Sequence, residues 1–183
     1  MNYKLVLRIT GVALLLEAAA LVIPTGVALL YRESLIPFLW TILLLAVTGL
    51  VLLLLFRKST GTLLTRDGFL TVGLIWALFG AFGALPFRFS GLFGSYVNCL
   101  FEAISGFSTT GATILTAVEG LPYGLLFWRS LTHWLGGMGV LVLTAALLPM
   151  LGVSSNSLIR AESPGPVKSK LVPRASQSSK ILY

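Results

Sequence analysis

Residues 88–120 read RFSGLFGSYVNCLFEAISGFSTTGATILTAVEG, and this stretch decides the fold. It is largely apolar, yet Gly, Ser, Thr and Asn break it up. Its helical part spans about residues 95–105 and carries Tyr96, Val97, Leu100, Phe101 and Ile104. About a dozen helical residues rise roughly 18 Å, well short of a hydrocarbon core of about 30 Å. Such a segment, once in a bilayer, returns to the face it came from. Non-helical backbone at that depth persists only inside protein or against a watery cavity. A short helix followed by Gly106-Phe107-Ser108-Thr109-Thr110-Gly111-Ala112-Thr113 therefore reads as a re-entrant pore loop.

The flanking sequence supplies the bilayer. Apolar residues make up 56% of the chain and charged residues 10%, against about a quarter charged in a soluble domain. The apolar residues fall in blocks of spanning length. The first block, about 5–30, follows Lys4 and Arg8. It is too long for a signal peptide, and Glu17 interrupts it, so a retained helix is expected, with Pro24 as a point of kinking. The second block covers about 35–56, after a short turn at 31–34. A third span is expected at about 68–87, with Asp67 placed to cap its start. The last, about 123–151, is long enough to cross with tilt.

The net charge of +7 invites a nucleic-acid reading, but the positions of the charges argue against it. Lys4, Arg8, Arg57, Lys58 and Arg66 flank one side of the spans. The tail residues Arg160, Lys168, Lys170, Arg174 and Lys180 join that side if there are four spans. Only Arg32 and Arg88 flank the other. The positive-inside rule then predicts an even number of spans, with both termini cytoplasmic. Cys99 is the only cysteine, which excludes an intrachain disulfide and reads as a small packed thiol.

The loop has the chemistry to handle a cation. Dehydrating one takes a ring of oxygens in place of its water shell. Ser108, Thr109 and Thr110 offer successive carbonyls and hydroxyls. Gly111 admits backbone angles closed to other residues, so neighbouring carbonyls can share a direction. The C-terminal end of the short helix, near Gly106, carries partial negative charge. No charged residue lies between Ser105 and Val118, which suits selection by dipoles rather than by a charged ring.

At these residues the chain resembles a known family. The unit 101–106, Phe-Glu-Ala-Ile-Ser-Gly, followed by Ser108-Thr109-Thr110-Gly111-Ala112-Thr113, is similar to the first pore loop of Trk-type potassium uptake proteins. The block 129–139, RSLTHWLGGMG, resembles the helix that follows, and the tail block 160–166, RAESPGP, also matches. The loop departs from the family at Ser108, where threonine is common; its backbone carbonyl is retained. The resemblance implies an all-α integral membrane fold. A two-helix hairpin (1–60) precedes one helix–pore loop–helix repeat (61–151), then a cytoplasmic linker toward a next repeat (152–183). It also implies the N-terminal portion of a larger pore with four such repeats.

The expected function is potassium uptake across the cytoplasmic (inner) membrane, with symport as the family's mode. Ser108, Thr109, Thr110 and Gly111 are the expected potassium-binding filter. Potassium is the only expected ion, with no other metal and no organic cofactor. Expected partners are membrane lipid, the three missing repeats, a second copy of the transporter and a cytosolic nucleotide-binding regulatory ring, but not nucleic acid. The alternative is a non-conducting fragment or membrane scaffold, since one repeat cannot close a ring.

Remaining residues are read more plainly. Glu102 on the short helix and Arg129 in the last span are expected to pair and brace the loop, because buried membrane charges usually do. His133 has no second His or suitably spaced Cys to share a metal, so a packed, hydrogen-bonded ring is expected. Glu17 is expected to be hydrogen-bonded within the bundle. Trp40, Trp76, Trp128 and Trp134 read as interface or packing residues. Gly136, Gly137 and Gly139 allow close helix approach. An enzyme using Glu102 or His133 lacks paired carboxylates, a Ser–His arrangement or a phosphate cradle.

Overall fold

The structure is a computed structural model that describes residues 2–58 and 64–147. Its elements are all helical: α1 (Tyr3–Ala20), α2 (Val22–Leu30), α3 (Ile36–Leu55), α4 (Thr65–Gly83), α5 (Leu85–Ser90), α6 (Tyr96–Phe107) and α7 (Tyr123–Leu147). The stretches Tyr3–Leu30, Ile36–Leu55 and Arg66–Ser90 are long and apolar enough to cross a membrane. The fourth expected span, about 123–151, falls on α7, which is not among these three. The chain divides into two units, Met1–Met138 and Gly139–Tyr183. Of the second, the structure describes only the helical run to Leu147. The 160–166 tail block, the tail charges and the linker lie outside the described residues.

In the first unit α1 packs on α3 and on α4, α3 on α5, and α4 on α6. The α1–α3 crossing is close because Gly11 and Gly49 face each other. A methyl group on either would sit 3.0 Å from the other's carbonyl oxygen. Lipid tails are as apolar as leucine, so helices in a bilayer associate through such backbone-level packing rather than through hydrophobic exclusion. Val6, Leu14, Ala18, Leu21 and Leu45 fill the seam, while Leu16, Val22, Leu39, Leu43 and Leu54 point outward.

The expected kink is present. The first span breaks at Leu21, three residues before Pro24, whose missing N–H leaves a gap in the helical ladder. Asp67 caps the start of the third span as expected, but from inside the helix rather than from the N-cap position. The helix starts at Thr65, so Asp67 sits inside its first turn. From there Oδ2 accepts the Leu64 N–H at 3.2 Å, and Oδ1 accepts the Asn2 N–H at 3.3 Å.

The third span is also interrupted. Ala84 separates α4 from α5, whose first turn carries Pro86, and Gly91 closes α5 at φ 75°. The chain then turns into α6. Ser95 caps that helix by accepting the Asn98 N–H, and Tyr96 donates its hydroxyl to the Ala81 carbonyl at 2.8 Å. The core beneath α6 comprises Phe87, Phe93, Cys99, Ala103, Phe107 and Trp128. Cys99 is packed there as expected, and Trp128 anchors the layer with its Nε1–H on the Gly83 carbonyl at 3.0 Å.

Glu17 differs from expectation. It is 2% exposed, yet neither carboxylate oxygen has a hydrogen-bond partner among the described residues. Its neighbours near Gly83 include the Phe107 ring, which offers no donor.

Candidate functional site

α6 runs two residues further than the sequence suggested, so Gly106 lies inside the helix and the C-cap is Ser108. The cause is α7. A methyl on Gly106 would collide with Thr132, and one on Gly136 with the Phe107 carbonyl. Two glycines thus let the helix backbones touch, and the end of α6 is held against α7 where an unsupported helix would fray.

The backbone after α6 is arranged asymmetrically. The Ser108 N–H donates to Ile104 O at 2.8 Å, Thr109 N–H to Gly106 O at 2.9 Å, Thr110 N–H to Ser105 O at 3.0 Å and Gly111 N–H to Ser105 O at 3.4 Å. These bonds satisfy helix-end carbonyls that otherwise lack donors. The carbonyls of Ser108, Thr109, Thr110 and Gly111 accept no hydrogen bond among the described residues, and all four residues are exposed. The next carbonyl, of Ala112, is taken by the Ser105 hydroxyl at 2.6 Å. The run of free oxygens therefore ends at Gly111.

Two positive φ angles shape the run. Gly111 has φ 75° and Thr109 has φ 59°. Glycine adopts this region freely, but a β-branched residue there costs about 1–3 kcal/mol. Strain of that kind persists only where the surroundings fix it, and here the four N–H bonds do so. The hydroxyls contribute less than the sequence suggested. Ser108 and Thr110 hydroxyls are 2.8 Å apart and bond each other.

Glu102 anchors the downstream side. It is 1% exposed; Oε1 accepts the Thr113 hydroxyl and the Ile114 N–H, the latter at 2.9 Å. Oε2 faces Arg129 Nε at 3.1 Å. The structure thus brings together the two charges that the sequence paired. In the sequence Thr113 stood only as the end of the loop motif, and neither it nor Ile114 was expected to partner Glu102. Their signal is weak, since a threonine and a backbone amide become partners only through the return path of the loop.

His133 is hydrogen-bonded as expected, with Nδ1 2.8 Å from the Arg129 carbonyl. Glu33, which the sequence left in a connecting turn, accepts the N–H groups of Tyr123 and Gly124 at the start of α7, at 2.7 and 2.9 Å. Beside it the rings of Tyr31 and Tyr123 stack at 4.1 Å. Chemically, the site offers neutral oxygens in series on a fixed backbone. That donor set suits a weakly hydrated monovalent cation, and one loop supplies only part of a full shell.

Comparison with known proteins gives consistent results. Residues 36–183 match the TrkH family, described as cation transport protein. The Trk system potassium uptake protein TrkH of Escherichia coli (strain K12) is 41% identical over 186 residues, covering 100% of this chain and 38% of that protein. TrkG of the same organism, also a Trk system potassium uptake protein, is 37% identical over 100% of this chain and 38% of its own length. The crystal structure of the potassium transporter TrkH from Vibrio parahaemolyticus superposes with TM-score 0.81 at 34% identity, over 100% of this chain and 36% of that one. The chain thus spans about two fifths of the length of the relatives it matches.

Proposed function

The chain belongs to the TrkH family of cation transport proteins, and on that premise we propose that it forms the first of four pore repeats in a potassium uptake protein. One observation carries the reading: the N–H groups of Ser108–Gly111 turn back onto α6 while the four carbonyls remain free. A potassium ion leaving water would exchange hydration oxygens for these carbonyls. The partial negative charge at the C-terminal end of α6 favours the ion nearby. Glu102 takes no direct part, since Arg129 neutralises it; its role is to hold the loop's downstream strand through Thr113 and Ile114.

In this reading three further repeats complete the ring. The outward face of α6 supports that, because Val97, Phe101 and Ile104 are 71%, 44% and 50% exposed. The hairpin α1–α3 packs on the outside of the repeat. Both termini of the chain face the cytoplasm of an inner membrane, as the charge distribution argues. Pairing with a second copy of the transporter, regulation by a cytosolic nucleotide-binding ring and ion-coupled symport belong to the same proposal at family level.

The test is flux. The complete protein containing this chain, reconstituted in liposomes, is expected to carry potassium in preference to sodium. Equal permeation of both ions, or none, would sink the reading.

A further inference from the structure

The turn of α7 beside the loop reaches it at two places, through Arg129 and through His133. Arg129 reaches the downstream strand with its side chain, through Glu102 to Thr113 and Ile114. Its backbone carbonyl holds His133 Nδ1 at 2.8 Å. A carbonyl oxygen only accepts, so Nδ1 carries a proton and the ring is oriented with Nε2 at its far edge.

That edge lies beside Gly111, the last residue of the run. A methyl placed on Gly111 would be in van der Waals contact with His133 Nε2, at 3.9 Å, and one on Gly106 would stand 3.5 Å from Nδ1. The imidazole therefore spans from the end of α6 to the last residue of the run. Gly111 needs such a neighbour. Its N–H bond to Ser105 O is the longest of the four, at 3.4 Å, and its φ of 75° is set by no side chain of its own. The glycine that terminates the run is the most weakly tethered member, and His133 Nε2 is the nearest group on the side where a side chain would project.

We propose that His133 is a positioning residue of the conducting loop: its ring, locked by Arg129, borders the space beside Gly111 and limits how far the last free carbonyls can turn. This rests on the potassium reading and deepens it, because the direction of the carbonyl dipoles sets the field that the loop presents to an ion. The contribution is one of shape and orientation. A residue of similar reach with a polar end can replace it, whereas a short one cannot.

The experiment uses the complete reconstituted transporter and measures potassium and sodium flux separately. His133→Ala is expected to lower the potassium-over-sodium preference about tenfold, equivalent to about 1.4 kcal/mol of differential binding. His133→Gln, whose amide reaches about as far as Nε2, is expected to recover most of it. Ser130→Ala, an exposed position on the same helix, is expected to keep the wild-type ratio. A merely structural role would lower total flux of both ions together and leave the ratio in place. That outcome, or an Ala variant with the wild-type ratio, or a Gln variant as poor as Ala, overturns the proposal while leaving potassium uptake standing. A wild-type protein that does not prefer potassium overturns the underlying reading, and this proposal with it.

Discussion

The carboxylate of Glu33 accepts the Gly124 backbone N–H at 2.9 Å, across 91 positions of sequence. It takes the Tyr123 N–H as well. The first turn of a helix has N–H groups without internal partners and a positive dipole end. Glu33 answers both from the turn between α2 and α3, and so fastens the N-terminal hairpin to the last helix of the repeat.

Replacing Glu33 with Ala is expected to cost about 1–2 kcal/mol, since charge-assisted bonds to a helix start are worth that when partly exposed. Thermal unfolding of the complete protein in detergent measures it. Glu33→Gln, which keeps an acceptor oxygen but no charge, should fall between the two. A Glu33→Ala protein as stable as wild type would show that the clamp carries no load.

Arg129→Leu leaves the Glu102 carboxylate buried without its cation. Breaking one side of a buried pair costs about 3–5 kcal/mol, so expression and folded yield should fall sharply. Glu102→Gln paired with Arg129→Leu removes both charges and should recover yield. Arg129→Leu with unaltered yield would mean that the pair is dispensable.

Gly111→Ser is expected to weaken potassium preference over sodium in the complete transporter. The φ of 75° at this position costs a side-chain-bearing residue about 1 kcal/mol or more, and relief of that strain rotates the adjoining carbonyl. Separate flux measurements for the two ions decide it; a variant as selective as wild type would argue that Gly111 is not part of the filter.

The chain by itself, purified and placed in liposomes, is expected to show no potassium-selective flux. In the four-repeat pore proposed above, one loop offers one quarter of the ring. The hairpin α1–α3 is built against one side of one repeat, and four copies would have to accommodate it four times. A defined tetramer with selective flux would refute this.

The spans were legible in the sequence because a bilayer imposes one length on all of them, and 35–56 became Ile36–Leu55. The short helix was legible because Gly, Ser and Thr break the apolar run too early for a crossing. Its end was misjudged by two residues, since Gly106 packs against Thr132 and Phe107 against Gly136, which no local propensity encodes. The approach of Glu102 to Arg129 could be anticipated, as two charges within apolar segments have few other partners. Glu33 could not, because its partners are backbone amides, identical in every residue. Glu17 went the other way: burial was inferable, but the expected donor is not found among the described residues.

The interlocked glycines Gly11 and Gly49 have a consequence for biosynthesis. Their nearest contacts lie within residues 11–53, so α1 and α3 can settle against each other while the loop is still being translated. Glu33 must wait. Its partner amides emerge 90 residues later, on the order of 5–20 s at typical elongation rates. During that interval its carboxylate faces water at the membrane surface, where it is cheap to keep. The arrival of Tyr123 then ends the wait, and the N-terminal hairpin serves as a finished wall on which the last helix of the repeat is hung.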